Sequence, residues 1–183
     1  MTASGTPDQN AMLVRDFVNT LDIDAGDDQL DSPTALAAWL RHRGLTANRS
    51  ATPAELRAAL ELREGLRAEL RGHHNLADGH PRAARQVRLD QLMSDYPLRV
   101  TLRTGTPELE AAGRNAHAGL ARIVAAVASS HSDRTWHRLK VCAASTCQWA
   151  FLDTSRNQSR AWCAMRVCGN RAKTRTYRAR HTP

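Results

Sequence analysis

Two identical C-x4-C pairs constrain this chain more than any other feature. Cys142 and Cys147 form the first pair and Cys163 and Cys168 the second, with fifteen residues between them. They are the only cysteines in 183 residues. Residues 1–7 are polar and lack the basic and apolar regions of an export signal. No apolar run approaches the roughly 18–20 residues that a membrane span needs. The expected location is therefore the cytoplasm, where disulfides are disfavoured and clustered cysteines more often hold metal. Four thiolates satisfy a tetrahedral zinc ion outright, each pair giving two sulfurs from one tight turn. Disulfides and an iron–sulfur cluster are the competing uses of these residues. A zinc ion with four protein ligands keeps no open position, so its role would be structural rather than catalytic.

Charge divides the chain at the same place. Residues 1–133 hold 15 Lys+Arg and 17 Asp+Glu, a net of −2, whereas residues 134–183 hold 11 Lys+Arg and only Asp153, a net of +10. A basic end of this kind suits nucleic acid or an anionic membrane; a solvated tail is the bland alternative. From Gly169 the tail reads as a helix. Arg171, Arg175 and Arg178 fall on one stripe, and Lys173, Tyr177 and Arg180 on another. Ala172, Thr176 and Ala179 leave a thin face of small residues to rest on the metal core. A membrane-surface helix needs a large apolar face, and this one has none. Arginine's planar fork suits phosphates and guanine edges. The candidate nucleic-acid contacts are Arg156, Asn157, Arg160, Arg171, Lys173, Arg175, Arg178 and Arg180.

Residues 138–141, which feed the first cysteine pair, and 149–152, which follow it, read as short strands. Trp149, Phe151 and Trp162 flank the ligands and are expected to form a small core under the metal. Asp153 or Ser155 is expected to cap a helical turn that sets Arg156 and Arg160 on one side. Lys140, Arg160, Arg166 and Arg171 are close enough in sequence to offset the thiolate charge.

Upstream the chain is mainly α. Leu13, Val14, Phe17, Val18 and Leu21 mark a helix over 8–21, with Asp16, Asn19 and Thr20 on its polar side. The aspartate-rich loop that follows lacks the alternation and distal glutamate of a calcium-binding EF-hand. Ser32-Pro33 opens a second helix that Gly44 ends. Thr52-Pro53-Ala54-Glu55 is a capping box on a long helix. That helix interleaves Arg57, Arg63, Arg67 and Arg71 with Glu61, Glu64 and Glu69, which reads as an exposed, salt-bridged face. His73, His74 and His80 fall in a stretch read as a polar loop. A helix over 81–96, a hairpin pairing 98–103 with 109–112, and a helix over 114–130 complete the list. The expected architecture is an N-terminal helical domain with a small β-hairpin over 1–133, and a zinc-stabilised β-hairpin and helix module over 134–183.

The cysteine region resembles the CGNR zinc finger. The match runs through Cys142-x4-Cys147, Trp149-x-Phe151-x-Asp153-x-Ser155-Arg156-Asn157, and Arg160-x-Trp162-Cys163-x-Met165-x2-Cys168-Gly169-Asn170-Arg171-x-Lys173. Residues 13–21, Leu-Val-Arg-Asp-Phe-Val-Asn-Thr-Leu, resemble the opening of the ABATE domain, which accompanies this finger in chains described as stress-induced transcription regulators. The resemblance implies that the four cysteines bind zinc, that the finger binds DNA and that its partner domain senses or regulates. Ala161 departs from the pattern, standing where the family often has a second arginine beside Arg160. Structured RNA or ribonucleoprotein is the competing partner. A small-molecule or enzymatic role for the N-terminal part would rest on Asp16, Asn19 and the histidine stretch. No glycine-rich phosphate loop, Gly-x-Ser-x-Gly elbow or His-Glu-x-x-His pair occurs, so the chain reads as a binder and not an enzyme.

Overall fold

The computed structural model describes residues 7–74, 82–103, 105–112 and 116–181. Local rules account for most of the helices. α1, Pro7–Val18, buries Ala11, Val14, Phe17 and Val18 at helical spacing. It stops short of the expected 8–21, because Leu21–Asp22 (β1) instead pairs with Asp27–Asp28 (β2) in a tight antiparallel hairpin. α2, Pro33–His42, is capped by the Ser32 hydroxyl, which accepts the Ala35 N–H at 3.1 Å. Gly44, at φ +67°, turns the chain out of it. α3, Pro53–Arg71, has the full capping box, with Thr52 and Glu55 each accepting the other's backbone N–H.

α4, Arg82–Ser94, leads into a second hairpin of β3, Leu98–Thr101, and β4, Glu108–Ala111. α5, Ala116–Ser132, is the central helix, packing against α1, α2, α3 and β4. Its small residues allow close approach: a Cβ on Gly119 would lie 3.2 Å from a Leu40 methyl. A 3-10 turn, Trp136–Arg138, feeds a third hairpin of β5, Leu139–Val141, and β6, Ala150–Leu152. A π-helical turn, Met165–Gly169, then runs into α6, Asn170–His181. Among the described residues, no helix is long and apolar enough to cross a membrane.

The core crosses the change in composition. Trp136, Leu139, Val141 and Ala150 are buried in the same cluster as Phe17, Leu40, Leu66 and Leu120. At about 1.5–3 kcal/mol for each large apolar side chain removed from water, the third hairpin is anchored by the helical body as well as by anything the cysteines hold.

The long helix α3 corrects the sequence reading. Arg57, Glu61 and Glu64 are exposed as expected, but Arg63 and Arg67 are each 3 % exposed. The Arg63 guanidinium grips both oxygens of Asp28, at 2.7 and 2.9 Å, and donates to Thr20 Oγ1 at 3.2 Å. Burial alone would raise the Asp28 carboxyl, but this fork prevails and holds it below its ordinary value. Arg67 donates to the carbonyls of Val18 (2.6 Å), Leu21 (3.3 Å) and Gln148 (2.9 Å). The physical reason is position on the helix. Residues 63 and 67 share the face of Ala59, Leu66 and Leu70, where burial is tolerated only with every donor matched.

The polar loop is corrected in the same way. His73 Nδ1 meets the Leu139 carbonyl at 2.7 Å, and His74 Nε2 bonds the Val141 carbonyl. Both rings serve as links between α3 and β5. His80 lies outside the described residues.

Candidate metal centre and nucleic-acid interface

β5 delivers Cys142 into the interior, where its N–H donates to the Trp149 carbonyl at 2.9 Å. A tight turn follows, with the Cys147 and Gln148 N–H groups both donating to the Ala144 carbonyl, at 3.0 and 3.1 Å. Cys168 sits in the π-helical turn, its N–H bonded to the Ala164 carbonyl at 2.9 Å. Gly169 is closely packed beside it. A Cβ there would run into Met165 Sδ and lie 3.2 Å from the Trp162 ring. All four thiols are free, and Cys142, Cys147 and Cys168 are buried.

Geometry selects among the uses of these cysteines. The four Sγ atoms lie within 4.8 Å of one another, with Cys147 to Cys163 at 3.6 Å and Cys163 to Cys168 at 3.7 Å. A tetrahedral zinc with bonds of about 2.3 Å sets its sulfurs about 3.8 Å apart. Disulfide-bonded sulfurs would be about 2.05 Å apart. The cluster is therefore positioned to hold one metal ion and fits a structural zinc. Without a cation, burial pushes the Cys168 thiol up to about 11. A dication makes the thiolates favourable, so metal binding releases protons. Trp149 and Trp162 pack against this cluster, as expected. Phe151 does not: its ring is 6.4 Å from His74 and 5.1 Å from the Arg160 guanidinium.

The stretch between the pairs is not the expected helical turn. It is a loop wound around the buried carboxylate of Asp153. That group accepts the Ser155 N–H (2.9 Å), the Ser155 hydroxyl (2.6 Å), the Arg160 N–H (2.9 Å) and Lys140 Nζ (2.9 Å). Burial by itself would raise its pKa, but the four donors outweigh that and hold the carboxyl far below the usual carboxylate range. Lys140, expected to offset the thiolates, instead neutralises Asp153 and also donates to the Gln158 carbonyl. Gln148 and Gln158 both sit at φ +49°, and each turns its carbonyl onto a buried cation, Arg67 or Lys140. Left-handed backbone costs about 1–2 kcal/mol in a non-glycine residue, offset here by those charged hydrogen bonds.

The candidate nucleic-acid residues separate into groups. Arg171, Arg175 and Arg178 line one exposed groove on α6 together with Arg166, Val167, Asn170 and Thr174. The spacing 167, 170, 171, 174, 175, 178 is a single helical face. Sequence reasoning found its arginine stripe but missed Asn170 and Thr174, which the same periodicity would have supplied, and Arg166, which lies in the π-helical turn before the helix. Lys173 is exposed but outside this groove. Arg180 belongs to α6, with its side chain outside the described ones. Arg156 and Asn157 are exposed on the Asp153 loop. Arg160 donates to the Cys163 carbonyl at 2.9 Å and faces a cleft toward α1. The small-residue face does not rest on the metal core along its length: Ala172 is half-buried, but Ala179 is exposed. None of the described α6 side chains is buried, and the helix is held mainly through the π-helical turn at its start.

Several side chains of the helical body bond the backbone of the finger. Arg67, His73 and His74 bond its backbone as described above. Asn19 exchanges two hydrogen bonds with Ala150, at 2.9 and 2.7 Å, pairing with β6 as a neighbouring strand would. Asn19 and Thr20 thus answer to other elements rather than to solvent. Asp16 bridges Arg15 and Arg43, at 2.5 and 2.6 Å, on the wall of the cleft.

Comparison with known families gives two matches. The CGNR zinc finger model matches residues 138–181, which include all four cysteines and the whole of α6. The ABATE model, described as "Putative stress-induced transcription regulator", matches residues 12–146, and so runs from within α1 through β5 to the first cysteine. No curated relative matches the chain. The chain belongs to the ABATE family and carries a CGNR zinc finger at its C-terminal end.

Proposed function

We propose that this protein is a DNA-binding transcription regulator, non-enzymatic, whose zinc site is a scaffold for the basic face of α6. One observation carries the reading. A twelve-residue helix with no buried described side chain presents Arg171, Arg175 and Arg178 along a single groove. An isolated helix of that length is marginal in water, so α6 depends on the metal-anchored turn at one end and on a partner along its face. Arginine at successive turns suits phosphates, while Asn170 and Thr174 between them suit base edges. Arg156, Asn157, Arg160, Lys173 and Arg180 supply further contacts around this face. The family description supports a regulatory role linked to stress, with the helical body as receiver of the signal and the cytoplasm as the site of action.

The test is fluorescence anisotropy with duplex DNA, in competition with structured RNA. Duplex DNA is expected to win, and the combined change of Arg171→Ala and Arg175→Ala should weaken binding at least tenfold. RNA preference, or unchanged binding by the double variant, would overturn the reading.

A second reading is favoured by the cleft of about 700 Å³ between α1 and β6, lined by Arg15, Asp16, Arg43, Trp149 and Arg160, among others. Three arginines against one carboxylate would suit a small organic anion spanning body and finger. A thermal shift with benzoate that is lost in Arg43→Ala would support this site, and no shift with benzoate or phosphate would remove it.

A further inference from the structure

We propose that the aspartate hairpin, residues 21–28, is an intramolecular competitor of nucleic acid. Asp24 holds Arg171 at the contact a backbone phosphate would otherwise make. The inference rests on the reading of α6 given under Proposed function and adds how that face is regulated.

The observations start with the pair itself. Arg171 Nη1 donates to Asp24 Oδ2 at 2.9 Å, joining residues 147 apart in the chain. Arg171 lies at the start of the basic groove, so its guanidinium is among the groups a bound strand would meet. Asp24 is held in place by its own turn. The Asp22 carboxylate accepts the N–H groups of Asp24 (3.0 Å) and Ala25 (3.1 Å), and the Gly26 N–H donates to the Asp22 carbonyl at 2.8 Å. The base of the hairpin is fixed by the Arg63 fork on Asp28. A second bond, from the Gln29 N–H to the Thr20 carbonyl at 2.8 Å, closes it. The acidic stretch thus has two parts. Asp22 and Asp28 build and anchor the hairpin, and Asp24 extends from it to the helix.

Carboxylate and phosphate offer arginine the same acceptor geometry, so the two cannot both occupy this edge of the guanidinium. Both partners of the pair are about half exposed, at 57 % and 46 %. An ion pair of that kind is weak and salt-sensitive. It therefore lowers affinity modestly, and a phosphate-rich strand displaces it.

The experiment measures binding of the full chain, loaded with zinc, to a short labelled random-sequence duplex at about 50 mM salt. Asp24→Asn is expected to tighten binding about 2- to 5-fold. Asp27→Asn removes the same charge from the same hairpin without touching the Arg171 pair, and is expected to give a clearly smaller gain. In an Arg171→Ala background, Asp24→Asn should give no more gain than Asp27→Asn. Equal gains from Asp24→Asn and Asp27→Asn, or a gain that persists without Arg171, would overturn the competitor while leaving DNA binding by α6 intact. No duplex binding by either wild type or Asp24→Asn would overturn both.

Discussion

α3 and α6 each carry a pair of arginines four residues apart, and the two pairs have opposite fates. Arg63 and Arg67 are 3 % exposed and spend their donors on Asp28, Thr20, Glu64 and three backbone carbonyls. Arg171 and Arg175 stand in solvent along a groove. Residue type and spacing are the same; what differs is the company on the helix face. Residues 63 and 67 share theirs with Ala59, Leu66 and Leu70, so tertiary packing draws them in. Residues 171 and 175 share theirs with Asn170, Thr174 and Arg178, which give no apolar reason for burial. A buried arginine must have its donors satisfied within the protein, whereas an exposed one can exchange water for a ligand.

That contrast can be broken from either side, and the largest effect should come from the metal. Removing zinc with a chelator, or replacing Cys163 by Ser, withdraws folding free energy of the order of 10 kcal/mol from the finger. α6 and the Asp153 loop should then lose protection from amide exchange, while α1, α3 and α5 largely keep it. Acid should do the same, since thiolate ligands must be deprotonated and protons compete with the metal. Equal loss of protection in α3 and α6 would erase the distinction between a packed helix and a metal-anchored one.

Smaller, but still large, is the cost of truncating a buried arginine. Arg63→Met leaves Asp28 and Thr20 without their donor and should destabilise the chain by about 2–4 kcal/mol in urea unfolding. Arg175→Met should change stability by less than about 0.5 kcal/mol. A similar loss from both would mean that α6 is packed after all.

The smallest effect concerns the links between the two regions. Burial lowers the His74 pKa from 6.5, against the favourable bond to Val141. The folded state therefore binds its proton less readily than the unfolded chain. The stabilisation is complete above about pH 6.5 and is lost as pH falls through the depressed folded value. Unfolding free energy should drop across that interval, and His74→Gln should flatten this part of the profile. An unchanged profile in the variant would assign the titration elsewhere.

What could be read in the sequence follows from the range of each interaction. The caps at Ser32 and Thr52 and the turn at Gly44 were legible because their partners lie within a few residues. The four cysteines were legible because zinc chemistry restricts ligand type and spacing. Asp153 or Ser155 reads as a helix cap in the sequence, but Lys140 reaches the Asp153 carboxylate from β5, and a buried carboxylate gathers donors from any direction. His73 and His74 read as a polar loop in the sequence because their acceptors, the Leu139 and Val141 carbonyls, are more than sixty residues away. Arg63 and Arg67 could have been found. A helical wheel puts them beside Ala59, Leu66 and Leu70, and only their charge argued against burial.

The central claim is that the metal-anchored α6, and not the arginine-rich α3, meets nucleic acid. The slope of log affinity against log salt tests it most directly, because each phosphate contact contributes about −0.9. With about five contacts the wild-type slope should be near −4 to −5. Arg171→Ala combined with Arg175→Ala should make it shallower by nearly 2, at unchanged thermal stability. Arg67→Ala should lower the melting temperature and leave the slope of the folded protein alone. A salt-independent wild type, or a slope that responds to Arg67 and not to the α6 pair, would contradict the account.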